Sequence, residues 1–217
     1  MPDIIEGIKP TRSELLKVKK RLELADKGRR LLKEKRDALF QELQKAVSRL
    51  RIKRKEVREQ LSAGYRAQTK AEMVMGTEEV REISLTTARE LPIHLEKNFV
   101  MGVAVPSITP EWKDLTVLQH GYGMIGTSVT VDETVQRMEL GLKSVIELAE
   151  IEETVVRLAL EMQKTKRRVN ALDYVILPRY QNTLKYIRMR LDEIERENFI
   201  RLKKVKSLLE KRKEAFA

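Results

Sequence analysis

The stretch Leu15–Leu50, LLKVKKRLELADKGRRLLKEKRDALFQELQKAVSRL, decides the fold of this chain. Its leucine, valine and alanine residues recur at alternating steps of three and four, which is the heptad spacing of a coiled-coil seam. The wider pattern runs from about Thr11 to Met75 without proline and with only Gly28 and Gly64. At about 1.5 Å per residue, a helix of this length would span roughly 95 Å, which is too long for an ordinary compact domain.

The apolar residues of this first pattern form two sets, one for each contact position of the seam. The first set is Leu15, Leu22, Leu43, Leu50 and Val57, and the second is Val18, Ala25, Leu32, Leu39 and Ala46. Three cationic residues, Arg29, Arg36 and Lys53, interrupt the seam. We therefore expect either uneven packing at these points or long side chains that carry their charge out to solvent.

A second helical pattern runs from about Asp132 to about Arg212, with one proline, Pro178, and one glycine, Gly141. Heptad spacing is kept by Leu184, Ile187, Leu191, Ile194, Val205 and Leu208, with Asn198 on the seam. Upstream, a series with steps of three, four, four and four residues forms a stutter that locally unwinds a supercoil; its members are Val169, Leu172, Ile176, Tyr180 and Leu184. Because proline lacks a backbone donor, we expect the helix to bend at Pro178.

The segment between the two patterns has a different character. Residues from Thr77 to about Arg89 are compatible with a short helix. From Pro92 to Pro106, β-forming runs flank a polar triplet, Glu96, Lys97 and Asn98. This arrangement predicts a β-hairpin with the triplet at its tip.

Together these patterns predict a mainly α protein. The N-terminal segment 1–75 and the C-terminal segment 132–217 form a long antiparallel two-helix coiled coil, and residues 76–131 form a small head with the short helix and the hairpin. An isolated hairpin is marginally stable in water, so we expect it to pack on helix or against a partner. Glu96, Lys97 and Asn98 are therefore candidate partner contacts.

Composition limits the possible classes of function. The chain has 217 residues, of which 35% are charged and 5% aromatic, a composition that suits a helix seam better than a globular core. It has no cysteine, which excludes disulfides and thiolate metal ligands. No apolar run approaches 18 residues and no signal-peptide pattern is visible, so we expect no membrane span and a cytoplasmic location.

Positive charge is concentrated in the two long patterns. Of the net charge of +11, residues 1–75 carry +10, residues 76–130 carry −3 and residues 131–217 carry +4. A basic helix pair can follow a nucleic acid backbone, lie within a sleeve of acidic protein, or present a solvated face. One basic cluster is a candidate partner-contact surface and comprises Lys164, Lys166, Arg167 and Arg168.

Three further motifs are weak indications of an active or ligand-binding site. Gly121–Gly126 matches the G-x-G-x-x-G dinucleotide fingerprint, but no βαβ unit surrounds it. His94 and His120 are the only histidines, and neither has another metal ligand at the usual spacing. Clustered glutamates such as Glu147 and Glu150 lack the water-excluding cleft that acid–base chemistry requires. We expect no catalytic residue, no cofactor and no metal.

Longer motifs carry a specific resemblance. They are Ile8–Leu16 (IKPTRSELL), Gly121–Asp132 (GYGMIGTSVTVD), Lys164–Arg179 (KTKRRVNALDYVILPR), Asn182–Ile187 (NTLKYI), Leu191–Phe199 and Leu202–Lys206. In this order they extend over nearly the whole chain and resemble the D subunit of the V/A-type ATPases. Asp173 departs from the pattern, because a glutamate is expected there.

The resemblance implies a central-stalk component, a rotor that transmits torque between a catalytic ring and a membrane ring that translocates ions. It implies contacts with the catalytic A and non-catalytic B ring subunits, with the F subunit, and with the C subunit (d in the V-type naming). It also implies that the chain hydrolyses nothing, binds no nucleotide and is peripheral to the membrane within the complex. Curvature at Pro178 would make its contacts with the three catalytic interfaces unequal.

Two other functions fit parts of the sequence. A basic coiled coil that binds nucleic acid would explain the charge, and it predicts steeply salt-dependent binding to any duplex. The few aromatic residues and the lack of a recognisable recognition module argue against it. A structural or tethering coiled coil would explain the heptads but gives no reason for a hairpin.

Overall fold

The computed structural model describes residues 5, 7–86, 91–112, 122–123 and 126–215, with side chains described as far as Leu209. Its elements in chain order are α1 (Arg12–Met75), α2 (Thr77–Thr86), β1 (Ile93–Val100), β2 (Val103–Pro110), α3 (Val129–Ala171), a π-turn (Leu172–Ile176) and α4 (Leu177–Ala215). The mainly α prediction, with two long helical segments, a short helix and a hairpin, is confirmed. Contacts group the chain into two compact units: unit 1 comprises Met1–Arg36 and Lys164–Ala217, and unit 2 comprises Asp37–Gln163.

Both ends of α1 are set by local sequence. Oγ1 of Thr11 accepts a hydrogen bond of 3.3 Å from the backbone N–H of Glu14, and this Thr-x-x-Glu spacing is that of a capping box. At the other end, Gly76 has a φ of +99° and donates its N–H to the carbonyl of Glu72. Glycine adopts this conformation at little steric cost, so the helix ends at Met75, as the sequence predicts.

In unit 1, the first part of α1 lies antiparallel to α4. Arg12 pairs with Glu195 at 2.6 Å and Arg29 pairs with Asp173 at 3.4 Å, so residue numbers rise along one helix as they fall along the other. Between these pairs, the side chains of the buried apolar cluster are those of Val18, Leu184 and Ile187. Their removal from water, at about 25 cal/mol per Å² of apolar surface, stabilises the helix pair.

The N-terminal segment folds back over this cluster, which the sequence does not predict. The backbone N–H of Ile5 donates to Oγ1 of Thr183 at 3.1 Å, and the side chain of Ile8 packs against the cluster. The hydroxyl of Thr183, which is fully buried, donates in turn to the carbonyl of Arg179 at 2.7 Å. These two hydrogen bonds explain how a polar side chain is accommodated in an apolar seam.

The predicted seam of the C-terminal helix extends too far. Leu184 and Ile187 are buried, but Ile194, Val205 and Leu208 are exposed, as is Asn198. The physical reason is that α1 begins at Arg12, opposite Glu195, so the last five or so turns of α4 continue past the start of α1. Heptad spacing identifies one face of a helix, but it does not show where the partner helix begins.

In unit 2, the rest of α1 lies antiparallel to α3. Lys53 pairs with Glu147 at 2.6 Å, and Lys70 pairs with Glu133 at 3.8 Å. The predicted antiparallel coiled coil is therefore confirmed within each unit. Every seam position predicted for α1 is buried or half-buried.

The hairpin is confirmed, but its predicted tip is wrong. Glu96, Lys97 and Asn98 lie in the middle of β1, and the two-residue turn is formed by Met101 and Gly102. These two residues have positive φ values of 51° and 78°, as a type I′ turn requires. The polarity of the triplet suggested a turn, but a strand that is exposed along its length also accepts polar side chains.

The outer edge of β2 is attached to α3. Nη1 of Arg157 donates to the carbonyl of Ala104 at 3.1 Å, and the backbone N–H of Ile108 donates to Oε2 of Glu150 at 2.9 Å. Pro106 lies between these two contacts, at an edge position where the N–H that proline lacks would point away from β1. As expected for a hairpin that is marginal alone, this one is held against a helix.

The π-turn changes which residue enters the seam of the C-terminal helix. Ile176, predicted to lie on the seam, is 37% exposed, whereas Leu177 is 6% exposed. The wider turn accommodates one extra residue, so Leu177 takes the seam position predicted for Ile176, while Tyr180 and Leu184 keep theirs. The irregular stretch was predicted at the right place, but its contact residue was predicted one position too early.

Candidate functional surfaces

The predicted basic cluster lies in the last two turns of α3. Lys164, Lys166, Arg167 and Arg168 are all exposed, whereas Thr165 between them is 1% exposed and belongs to the seam. With 3.6 residues per turn, four cations around one buried position cover the outward arc of the helix. The cluster is therefore a solvent-facing cationic surface, and its contact with a partner stays a prediction.

Arg29 and Lys53, which interrupt the predicted seam, form ion pairs between helices. Arg29 pairs with Asp173 in unit 1, and Lys53 pairs with Glu147 in unit 2. Lys33 also pairs with Asp173, at 3.0 Å. These side chains carry their charge across the seam to an acid on the neighbouring helix. The sequence predicted either uneven packing or a charge carried out to solvent, and not an ion pair across the seam.

The pKa values of these groups respond to the pairing. The hydrogen bond from Lys33 is the largest cause that holds the pKa of Asp173 below its usual range. The hydrogen bond with Glu147 is the largest cause that raises the pKa of Lys53. In each pair the charged form is favoured, because a partner of opposite charge outweighs the loss of hydration.

Pro178 lies in the first turn of α4, directly after the π-turn. The backbone N–H of Leu177 donates to the carbonyl of Leu172, five residues back. In a regular α-helix the ring of Pro178 would clash with the carbonyl of Tyr174, to which it also could not donate. The wider π-turn moves that carbonyl away, so the proline gives a physical reason for the π-turn. The bend predicted at Pro178 stays a prediction.

The hairpin presents β1 to solvent. Glu96, Lys97 and Asn98 are exposed, and so are the apolar side chains of Leu95 and Phe99. β1 pairs with β2 along one edge, in a two-stranded sheet. The triplet thus belongs to an accessible strand, and its role as a partner contact also stays a prediction.

Other sequence motifs contribute little to a site. Gly121 and His120 lie outside the described residues, so the dinucleotide-like motif has no structural account. His94 is exposed and its Nε2 lies 2.6 Å from Oε1 of Glu111. Within the part of the chain that the structure describes, no group of three or more histidine or acidic residues could hold a metal ion. In the same part, no helix combines the length and apolar character required to cross a membrane.

Comparison with known proteins gives one consistent result. The family model for the ATP synthase D subunit matches residues 14–207. The chain is 45% identical over 213 residues to the A-type ATP synthase D subunit of Pyrococcus abyssi, and the alignment covers 98% of this chain and 99% of the relative. It is 43% identical over 210 residues to the protein of the same name from Methanobrevibacter smithii, and this alignment covers 97% of this chain and 91% of the relative. The chain belongs to the ATP synthase D subunit family.

Family membership confirms the resemblance found in the sequence, and the structure adds contacts that the motifs do not contain. In this member of the D subunit family, three polar residues recur every seven residues along α3: Lys143, Glu150 and Arg157. Glu150 and Arg157 hold the outer edge of β2. Lys143 holds the segment after β2 through a cation–π contact of 5.0 Å with Trp112. A seven-residue spacing of polar residues was visible in the sequence. Its target was not, because the hairpin lies about 40 to 50 residues away along the chain.

Proposed function

We propose that this member of the D subunit family is a central-stalk rotor subunit, which transmits torque between the catalytic A/B ring and the membrane ring that translocates ions. The observation that supports this most directly is the match to the D subunit family over residues 14–207. Under this proposal its partners are the A and B ring subunits, the F subunit and the C subunit (d in the V-type naming). The chain itself is non-catalytic and reaches the membrane only through the complex.

The helix pairs support a mechanical role. Torque passes through a helix pair without slippage only if the two helices resist sliding past each other. In unit 1 the Arg29–Asp173 pair and in unit 2 the Lys53–Glu147 pair join the helices, and the apolar seam lies beside them. The ion pairs fix the register between helices, and the seam supplies the stabilising burial.

The exterior supports a moving contact. Arg167 and Arg168 are exposed, and an exposed ion pair is worth about 0–1 kcal/mol. Contacts of this strength form and break as a shaft turns, whereas a desolvated pair would cost several kcal/mol to separate at each step. A charged surface therefore suits a shaft that must meet three ring interfaces in turn.

Reconstitution of the A/B ring with and without this chain tests the proposal. The isolated chain should release no phosphate from ATP above background. Addition of the chain to the ring should give ATP-driven rotation of a bead attached to it. A ring that turns over at the same rate in both preparations, with a bead that does not rotate, would refute the rotor role.

A further inference from the structure

Burial along the C-terminal helix follows two heptad series that are out of phase by one residue. Before the π-turn the buried positions are Leu158, Thr165 and Val169. Seven residues after Val169 the first series arrives at Ile176, which is exposed, and the buried residue is Leu177. From Leu177 the second series continues through the seam positions Tyr180, Leu184, Ile187 and Leu191. Thr183, seven residues after Ile176, is buried as well, and its Oγ1 accepts a hydrogen bond from the backbone N–H of Ile5 in the N-terminal segment. One extra residue therefore lies between Val169 and Leu177.

The side chains restrict where this extra residue can lie. An extra residue before Val169 would bring Asn170 and Asp173 into the seam, and burial of such polar groups is costly. An extra residue after Leu184 would bring Arg179 into the seam in place of Tyr180. Between these limits Ile176 and Leu177 are adjacent and both apolar. At this one seam position the sequence tolerates either residue.

The carboxylate of Asp173, inside the π-turn, forms ion pairs with two cations of α1. Its Oδ2 lies 3.0 Å from Nζ of Lys33 and its Oδ1 lies 3.4 Å from Nη1 of Arg29. Arg29 is itself oriented by Asp26, at 2.6 Å. These contacts, which we call the Asp173 ion pairs, fix the rotation of the π-turn about its axis, because a turn in another register would carry the carboxylate away from α1.

Space is available for a second arrangement. A groove of about 370 Å³ borders the π-turn on the side of α1, and its lining includes Leu22, Arg29 and Leu177. Downstream, Pro178 cannot extend the hydrogen-bond ladder that reaches Leu177, so the helix is already interrupted at the point where a change of register would occur. A rearrangement there disrupts fewer backbone bonds than it would in a continuous helix.

We propose that residues 172–177 are a two-position register switch, in which either Ile176 or Leu177 occupies one seam position and the Asp173 ion pairs hold the Leu177 register. The switch exchanges the two residues at this one position while the seams on either side stay packed. This property belongs to the chain alone, so it holds whether or not the chain acts as a rotor.

The absence of cysteine from the chain allows a direct test with the full-length protein. Single variants Ile176→Cys and Leu177→Cys are labelled with a maleimide, each with Asp173 intact and with Asp173→Asn. With Asp173 intact, the thiol at 176 should react faster than the thiol at 177. With Asp173→Asn the 176:177 rate ratio should fall by roughly three- to ten-fold, the shift in a two-state equilibrium that loss of a partly exposed ion pair allows.

The direction of the two rates separates a switch from simple loosening. A register change makes the thiol at 177 faster and the thiol at 176 slower, whereas loosening accelerates both, and unchanged rates show that the ion pairs hold nothing. Either of the last two results would overturn the proposal. Glu193→Gln is the matched control, because it removes an acid that pairs with Arg190 on α4 itself and should leave both rates unchanged.

Hydrogen exchange provides a second measurement that needs no cysteine, in case Leu177→Cys fails to fold. The amide of Leu177, bonded to the carbonyl of Leu172, should exchange at least several-fold faster in Asp173→Asn than in the parent chain. The amide of Ile187, in the seam two turns or more beyond, should exchange at the parent rate. Equal acceleration at both positions, or none at Leu177, would contradict the switch.

Discussion

Lys53 on α1 and Glu147 on α3 form a salt bridge of 2.6 Å in which the lysine side chain is only 18% exposed. The same ammonium group lies 3.0 Å from Glu56 on its own helix. A lysine at a position where the heptad pattern calls for an apolar residue is thus paired with two acids. Its stem replaces part of the missing apolar contact, and its charge is neutralised at the edge of the seam.

This pair predicts a specific dependence of stability on pH. The pKa of Lys53 is raised, so its contribution to the free energy of unfolding is complete below the unfolded pKa of about 10.4 and is lost as the pH rises through the folded pKa. At pH 7, Lys53→Met should lower that free energy by about 0.5–1 kcal/mol. Urea unfolding at pH 7 and near pH 11.5 should show the difference from the parent chain shrinking at the higher pH.

Lys55→Met is the matched control for this measurement. The Lys55 side chain is 80% exposed and lies 3.8 Å from Glu59, so its loss should change the free energy of unfolding little at either pH. An equal effect of the two substitutions would show that the Lys53 pair has no special role.

A second prediction contrasts the paired and unpaired parts of α4. Ile187 is fully buried in the cluster with Val18, so Ile187→Ala should lower the free energy of unfolding by about 2–5 kcal/mol. Leu208 is 56% exposed beyond the start of α1, so Leu208→Ala should change it by less than about 0.5 kcal/mol. Chemical unfolding of the isolated chain measures both. Similar losses for the two variants would restore the longer seam expected from the sequence.

A third prediction concerns two glycines within α1. A Cβ atom on Gly28 would have no neighbour within 4 Å, so Gly28→Ala should raise the free energy of unfolding by about 0.5–1 kcal/mol through helix propensity. A Cβ atom on Gly64 would lie 3.0 Å from Sδ of Met138, which must move to admit it. Gly64→Ala should therefore stabilise less than Gly28→Ala, and thermal melts of the two variants would compare them. A larger gain at Gly64 would argue against close packing there.

The sequence predicted the parts of the fold that depend on periodicity. Seven-residue repeats of apolar residues identified the seam of α1, because such a spacing places side chains on one face of a helix whatever the partner. The antiparallel pairing followed from two long helices in one chain joined by a short middle segment. The longer motifs then indicated the D subunit family, which no single residue contact would have identified.

Contacts between residues distant in the chain could not be predicted in this way. The fold-back of Ile8 over the cluster and the attachment of Ile108 to Glu150 each depend on where a segment without helical periodicity lies in space. The turn at Met101 was missed because methionine is unusual at a position with positive φ, where asparagine, aspartate or glycine is the usual signal. The sequence located the irregular stretch before Pro178 but not the π-turn in it, because one extra residue resembles a stutter in an apolar pattern.

A fourth prediction concerns the polar triplet of β1. Replacement of Glu96, Lys97 and Asn98 by alanine removes exposed polar groups from a strand that β2 holds against α3, so the fold should be preserved. If the strand contacts rotor or ring partners, the ATPase rate or coupling of the reconstituted complex should change. The exposed Glu78 and Arg81 of α2, replaced together by alanine, provide a control of similar polarity. Parent-like rate and coupling for the triplet variant would remove its proposed role.

The last prediction concerns the cationic surface of α3 and separates the rotor from a nucleic-acid-binding protein. Arg167 and Arg168 are exposed, so Arg167→Ala and Arg168→Ala should leave helicity and melting nearly unchanged. If these cations meet acidic or polar surfaces of the surrounding ring, assembly or torque-coupled ATPase should weaken, and more so at higher salt, where the remaining charge attraction is screened. A nucleic-acid-binding chain would instead lose duplex affinity and show a smaller salt slope, because fewer counterions are released. Both assays on the same variants decide between the two functions: intact assembly and coupling together with lost duplex binding would overturn the rotor assignment.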